Sequence, residues 1–137
     1  MADPVQHLFV YGTLRSDYNH PAHSYIATYF SLIGKAHVRG KLYQGSEYPA
    51  GIPTQENLFI TGELYAIKKA MEFETALKEL DDYEGSYDRP GEPALFRREL
   101  INVLHNDTVV TAWIYWYNRD VSGKIWIRSG DILKTDH

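Results

Sequence analysis

Short runs of branched and aromatic residues alternate with polar turns along most of the chain, a pattern typical of a β-rich fold. The run QHLFVY stops at Gly12 and predicts an opening strand, central in the sheet if both of its faces are buried. Four more strands are predicted, at 32–43 with a bulge or bend at Gly34 or Gly40, and at 58–67, 94–104 and 108–118.

Residues 105–107 form a polar segment of hairpin length, so the last two of these strands are expected to pair antiparallel. The segment SDYNHPAHSYIATYF predicts a loop with a turn of helix, and EYPAGIP predicts a break in regular structure. The tail, with Gly123 and Gly130, is expected to cross the edge of the sheet. Helical periodicity is sustained only in AMEFETALKELDDYEG. Together these elements predict an α+β fold, a strongly curved antiparallel sheet or barrel with a helix packed on it.

One carboxylate lies on the apolar side of the predicted helix. At 100° per residue, Phe73, Leu77 and Leu80 fall within a stripe about 60° wide, and Glu84 lies about 20° from Phe73. Gly85 is a typical residue just past a helix end, which puts Glu84 in the last turn. The helix carbonyls and burial would both raise the pKa of Glu84, which suits a general base near neutrality.

Two other interpretations fit the same pattern. The helix could fray at Tyr83 and leave Glu84 in solvent, or an arginine could neutralise it in a structural salt bridge, with three candidates: Arg89, Arg97 and Arg98. The other carboxylates of this helix, Glu79, Asp81 and Asp82, are expected at its edge or on its solvent side, where they need no function.

The stretch YGTLR follows the first predicted strand directly. Glycine at position 12 allows another molecule to approach bare backbone, and the N–H groups that follow it can point at an anion or an oxyanion. It is not a phosphate loop, because the G-x-x-x-x-G-K-[ST] pattern is missing and no helix-forming run starts at Thr13. A plain tight turn is the alternative.

Composition narrows the function classes. The 137 residues suit one domain with one core, and a net charge of -4 without a basic run argues against nucleic acid as a partner. The absence of cysteine excludes thiolate nucleophiles and cysteine-based metal sites, and is compatible with a cytoplasmic protein. Neither a membrane span nor a secretory signal is expected at the N-terminus. His20 and His23 are three residues apart, which is a weak metal signal, so no metal and no cofactor are predicted.

The order of several short motifs, from Tyr11 to Asp131, resembles the γ-glutamylcyclotransferase-like family with its γ-glutamylamine cyclotransferase and AIG2-like branches. These motifs are YGTL after the first strand, GKLY and YP, GELY, LDDYEG at the helix end, and RSGD in the tail. The resemblance implies a small β-barrel with helices packed around it and a ligand cavity at one mouth. It also implies an enzyme that releases 5-oxoproline from a small γ-glutamyl compound, without cofactor or metal. The alternative is a non-catalytic AIG2-like domain that binds a small molecule.

The resemblance gives Glu84 the role of catalytic acid/base, because it matches the glutamate of the family's D-x-x-E-G motif. It gives Tyr11, Gly12, Thr13 and Leu14 the role of substrate-binding loop. Tyr117 resembles a tyrosine near the family's cavity, although a purely structural ring is the alternative. The chain departs from the family after Glu84, where SYDRPGEPAL intervenes. The aromatic that matches the family's Tyr-x-Arg segment is then Phe96, so a hydroxyl near the substrate is either missing or supplied by Tyr87.

Overall fold

The computed structural model describes residues 5–12, 14–16, 23–45, 49–84 and 94–134, with Glu84 described by its backbone only. Their order along the chain is β1 (His7–Val10), α1 (His23–Tyr29), β2 (Phe30–Gln44), β3 (Ala50–Pro53), β4 (Phe59–Ile67), α2 (Phe73–Glu84), β5 (Phe96–His105), β6 (Thr108–Tyr117) and β7 (Ile125–Ile127). A short 3₁₀ turn, Ala70–Glu72, leads into α2.

Five of the strands close into a mixed barrel. The order is β2, β4, β1, β6, β5, and β5 returns to β2 where Leu104 pairs with His37. Strand β1 runs parallel to β6, and the other neighbours in the barrel are antiparallel. The predicted α+β class and mostly antiparallel barrel are therefore confirmed, as is the central position of β1.

Strand β1 lies between β4 and β6 in the sheet, and each of its two faces contacts a hydrophobic cluster. Phe9 points into the barrel and belongs to a cluster with residues from all of the other barrel strands, including Val38, Ile60, Val103, Ile114 and Trp116. Leu8 and Val10 point outward into a second cluster that lies under the two helices. Because both faces are apolar and covered, β1 has no solvent side, and the turn that follows it begins deep in the molecule.

Helix α2 covers the outer cluster with the stripe that its periodicity predicts. Phe73, Ala76, Leu77 and Leu80 are buried there, together with Ile26 of α1. Glu79 and Asp82 are exposed, as expected for the solvent side. The predicted turn of helix before β2 is a helix of seven residues, α1. Among the described residues, neither helix is long and apolar enough to cross a membrane.

Strand β2 is longer than the barrel and joins it to a small outer sheet. It runs for 15 residues, shifts register between Leu32 and Gly34, and pairs beyond the barrel with β3 and β7. The bend at Gly34 and the crossing of the tail at the sheet edge are confirmed. The predicted break through EYPAGIP was wrong for Ala50–Pro53, which forms β3, because pairing with residues 40–43 of β2 outweighs the local preferences of glycine and proline.

The β5–β6 hairpin is confirmed, with a turn of only two residues. Asn106 and Asp107 have φ values of 46° and 53°, the left-handed conformation that a two-residue hairpin turn of type I′ requires. Both residue types tolerate that conformation.

Leu80 provides a test of how much the layer under α2 contributes to stability. Its side chain is 0% exposed, so Leu80→Ala should lower the free energy of unfolding by about 2 to 5 kcal/mol. Met71 is 90% exposed, and Met71→Ala should change it by less than about 0.5 kcal/mol. Urea denaturation followed by tryptophan fluorescence measures both, and equal losses would contradict this packing.

Candidate active site

The YGTL turn is anchored by side chains that point to opposite sides of the sheet. Tyr11 belongs to the cluster inside the barrel and Leu14 to the cluster under the helices. The Tyr11 hydroxyl donates to the carbonyl of Tyr115, and the Arg15 N–H donates to the carbonyl of Gly12 at 2.9 Å. The side chains of Tyr11 and Leu14, two of the four residues predicted to form the substrate-binding loop, are thus buried. Thr13 lies outside the described residues.

Gly12 is pressed against Pro49. A Cβ atom at position 12 would lie 2.8 Å from Pro49 Cγ, closer than real side chains come. A residue of the same chain, Pro49, thus occupies one side of this glycine, and the approach of another molecule to its backbone stays a prediction. Any larger residue would have to displace the proline ring or move the turn.

A buried ion pair holds the end of this turn to the tail. Arg15 is 0% exposed, and its Nη1 donates to Asp131 Oδ1 at 3.0 Å and to the carbonyl of Thr61 at 3.3 Å. Asp131 also accepts the N–H of Leu133 at 2.9 Å. Gly130, which has φ of +71° and a hypothetical Cβ only 1.9 Å from the Phe59 carbonyl, lets the tail come this close to β4.

A second buried carboxylate, Glu63 of β4, fixes the residue just beyond the turn. It accepts the Ser16 N–H at 2.6 Å and the Ser16 hydroxyl at 2.5 Å, and the Tyr65 hydroxyl donates to it at 2.9 Å. Glu63 is 5% exposed. With three donors on one carboxylate, its orientation is determined and the backbone at residue 16 is held against β4.

Helix α2 ends at Glu84, which confirms the predicted place of this residue in the last turn. Its side chain lies outside the described part of the structure, as do Gly85 and Tyr87. Tyr83, one residue earlier, lies against Tyr25 of α1 with ring centroids 5.0 Å apart. The last turn of α2 is therefore in contact with α1.

The expectation that Asp81 is a solvated carboxylate with no function was wrong. It is half-buried, and Arg98 binds it with two nitrogens, Nε at 2.9 Å and Nη2 at 3.2 Å. The Tyr115 hydroxyl donates to the same carboxylate at 2.6 Å. Burial acts to lower the pKa of Arg98, but the hydrogen bonds and charge of Asp81 outweigh it, so the pKa is raised and the guanidinium stays charged.

The YGTL turn and the end of α2 both form hydrogen bonds with one residue of β6, Tyr115. Tyr115 accepts the Tyr11 hydroxyl with its carbonyl and donates to Asp81 with its own hydroxyl. Asp81 precedes Glu84 by three residues, slightly less than one helical turn. The two segments that sequence analysis singled out therefore both contact Tyr115, one at its backbone carbonyl and the other at its hydroxyl.

Tyr117 is buried, with 7% exposure, and packs edge-on against Phe96 with ring centroids 5.7 Å apart. Lys124 Nζ lies 5.3 Å from the centroid of the Tyr117 ring. No described residue forms a hydrogen bond with its hydroxyl. Phe96, which the sequence predicts to match the family's tyrosine, thus lies beside a tyrosine whose hydroxyl has no hydrogen-bond partner in the described part of the chain.

His20 and His23, the two histidines that gave a weak metal signal in the sequence, are not seen together in the described part of the structure. His23 Nδ1 lies 3.0 Å from the carbonyl of Leu14, so it ties α1 to the YGTL turn, and His20 lies outside the described residues. In the described ranges, no group of three histidine, aspartate or glutamate residues is placed to hold a metal ion.

Sequence reasoning missed three residues of this site: Arg15, Glu63 and Asp81. Apart from Tyr65, which is two positions from Glu63, the partners of these side chains are 17 to 116 positions away, so no local pattern reveals them. A signal was present in two of the motifs, since RSGD contains Asp131 and GELY contains Glu63. A carboxylate within an apolar strand needs partners, which marks Glu63 as a residue to examine.

Comparison with known proteins identifies relatives over nearly the whole chain. The family model described as gamma-glutamyl cyclotransferase, AIG2-like, matches residues 8–134. The chain is 36% identical over 118 residues to gamma-L-glutamyl-butirosin B gamma-glutamyl cyclotransferase of Niallia circulans, covering 85% of this chain and 69% of that protein.

A second relative is similar over its full length. The gamma-glutamylcyclotransferase family protein YtfP of Escherichia coli K12 is 34% identical over 130 residues, covering 94% of this chain and 97% of that protein. The solution structure of ytfP from Escherichia coli superimposes with a TM-score of 0.62 over 93% of this chain and 96% of that one. YkqA from Bacillus subtilis superimposes with a TM-score of 0.69 at 25% identity over 92% of this chain, which spans only 39% of the YkqA chain.

The buried pair between Arg15 and Asp131 can be tested by removing one charge without changing shape. Asp131→Asn should lower the free energy of unfolding by about 3 kcal/mol or more, because the guanidinium stays buried without its counter-charge. Glu56→Gln removes an equivalent carboxylate from an exposed pair, with Lys41 Nζ 2.6 Å away, and should have little effect. Chemical denaturation measures both variants, and an equally small effect would contradict the anchoring role of the buried pair.

Proposed function

This chain belongs to the gamma-glutamyl cyclotransferase, AIG2-like family, and on that premise we propose that it cleaves a small γ-glutamyl compound to 5-oxoproline and a free amine. The observation that carries this proposal is the meeting of the YGTL turn and the last turn of α2 at Tyr115. On this proposal, a substrate held by that turn is within reach of the helix end that carries Glu84.

The proposed reaction needs no second substrate. The α-amine of the glutamyl group attacks the γ-amide carbonyl, a new N–C bond closes the five-membered ring, and the bond to the leaving amine breaks. The α-ammonium group releases one proton before the attack, and its nitrogen releases a second as it becomes the lactam N–H. The leaving nitrogen takes up two protons and departs as an ammonium ion, so the protons balance and water is not consumed. Because the attack is intramolecular, much of the protein's work is to hold the substrate in a folded conformer.

Glu84 is the proposed carrier of protons from the attacking nitrogen to the leaving nitrogen. An α-ammonium group has a pKa of about 7.7 to 8.0, so a carboxylate that takes the proton and later delivers it to the amine assists both steps. The contacts of two arginines that could have neutralised it support this role. Arg98 binds Asp81, and Arg97 Nε donates to Glu99 at 2.6 Å. The third candidate, Arg89, lies outside the described residues.

The YGTL turn is the proposed anion site. Because the side chains of Tyr11 and Leu14 are buried, the proposal places the ligand against the backbone of the turn that begins at Gly12. Its N–H groups would hold the substrate carboxylate or the oxyanion that develops on the γ-carbonyl. The buried anchors at residues 15 and 16 support this role, because hydrogen-bond donors stabilise a transition state best when they are already fixed.

The amine that leaves is best identified by direct measurement. A suitable panel contains a γ-glutamyl dipeptide, ε-(γ-glutamyl)lysine and a γ-glutamyl aminoglycoside, the last suggested by the printed name of the Niallia circulans relative. The α-glutamyl isomers are matched controls, since their α-amine cannot release the same amine by ring closure. Mass spectrometry should detect 5-oxoproline from at least one γ-linked compound and from none of the controls.

A non-catalytic binding domain is the second candidate, and the same panel separates the two. Binding detected by calorimetry without 5-oxoproline from any γ-linked compound would favour the binding domain. It would reject the proposed enzyme.

Glu84→Gln keeps the shape of the side chain and removes the base. With the most active compound of the panel, it should lower kcat at least about a hundredfold. Asp82→Asn makes the same chemical change two residues earlier on the exposed side of α2 and should leave kcat unchanged. Initial rates of 5-oxoproline release measure both. If the Glu84→Gln variant retained wild-type turnover, proton transfer would have to be assigned elsewhere.

Tyr117→Phe removes a hydroxyl that no described residue binds. If that hydroxyl contacts the substrate, KM should rise about three- to tenfold, the usual loss for one hydrogen bond, while the free energy of unfolding stays near the wild-type value. Steady-state kinetics and urea denaturation provide the two measurements. An unchanged KM would identify Tyr117 as a purely structural ring.

A further inference from the structure

Asp81 is bound more extensively than a carboxylate at the edge of a helix requires. Its Oδ1 accepts from Arg98 Nε and from the Tyr115 hydroxyl, and its Oδ2 accepts from Arg98 Nη2. A carboxylate has about four acceptor positions, so most of them are occupied. Both donors come from the barrel, and the acceptor belongs to the last part of α2.

The barrel holds the two donors at fixed positions. Arg98 of β5 and Tyr115 of β6 are direct cross-strand partners, so both side chains leave the same face of the sheet side by side. The Arg98 guanidinium also lies over the Trp113 ring, 4.7 Å from its centroid, and the Trp113 indole donates to the carbonyl of Val5 at 3.0 Å. The planar fork of Arg98 is thereby oriented before it meets the helix.

Tyr115 connects this arrangement with the YGTL turn. Its hydroxyl contacts Asp81, and its carbonyl accepts the hydroxyl of Tyr11, the first residue of the turn. A displacement of the helix end relative to β6 is therefore also a displacement relative to the turn. The apolar packing under α2 stabilises the helix but still allows it to slide or rotate slightly on the barrel. A bidentate hydrogen-bonded contact does not allow such movements.

We infer that Asp81, Arg98 and Tyr115 form a positioning cluster that sets the last turn of α2, and with it Glu84, against the YGTL turn. This inference rests on the proposed function, because its importance lies in where Glu84 is held. Proton transfer requires heavy atoms about 2.6 to 3.2 Å apart, and a misplacement of about 1 Å can cost a hundredfold in rate. The cluster touches the helix rather than the substrate, so its members are positioning residues.

Tyr115→Phe tests the cluster with a matched control. It removes the hydroxyl from Asp81 and leaves the Tyr115 backbone carbonyl in place for Tyr11. Tyr29→Phe also removes a hydroxyl that donates to a carboxylate of α2, that of Glu79 at 3.2 Å, but at an exposed site two residues before Asp81. Two measurements are compared in both variants: kcat and KM for 5-oxoproline release, and amide hydrogen exchange over residues 81–84.

Tyr115→Phe should lower kcat about tenfold with KM within about twofold of wild type, because the acid/base is displaced while the anion site is kept. Exchange in the last turn of α2 should become about tenfold faster. Tyr29→Phe should change neither quantity. Arg98→Lys, which keeps the charge and loses the fork, should lower kcat in the same way.

Two results would overturn the inference. One is exchange over residues 81–84 that is the same in the Tyr115→Phe and Tyr29→Phe variants, and the other is a raised KM with unchanged kcat. A wild-type chain that forms no 5-oxoproline would instead reject the proposed function. In that case the exchange measurement still decides whether the cluster holds the helix end.

Discussion

The ion pair between Arg15 and Asp131 is the constraint on which the arrangement around the first strand depends. Both groups are removed from water, and such a pair is tolerated only when its geometry is good and the remaining hydrogen-bonding groups are satisfied. The Thr61 carbonyl and the Leu133 N–H meet part of that requirement. Because β1 is covered on both faces, the chain is still inside the molecule where this strand ends. The ion pair helps to determine the path that the chain takes from there.

The carboxylates around the candidate site differ in what their surroundings allow them to do. Glu63 and Asp81 each accept three hydrogen bonds, and that number of donors fixes the orientation of a carboxylate. Such groups organise the backbone or another element. A group that must take up and return a proton needs the opposite condition, with acceptor capacity to spare, and the proposal gives that task to Glu84.

Periodicity and turn chemistry were sufficient for much of this fold. The stripe of α2, the end of that helix at Glu84 and the β5–β6 hairpin are determined by residues within one or two turns of each other, so the sequence reveals them directly. Strand β3 was missed because its pairing with a distant part of β2 decides its conformation, and α1 was underestimated because its buried residue, Ile26, packs against elements far along the chain. Asp81 was misjudged for the same reason, since angular position on a helix does not reveal that Arg98 and Tyr115 lie opposite it.

The turn at Asn106–Asp107 has a practical consequence for work on this protein. It lies at the far end of a hairpin whose open end carries Phe96 and Tyr117, ten residues away along each strand, which corresponds to roughly 33 Å. Both of its residues are exposed and in a conformation that glycine also adopts readily. A fluorophore, an affinity handle or a short inserted sequence at this turn is thus separated from Phe96 and Tyr117 by the whole length of both strands.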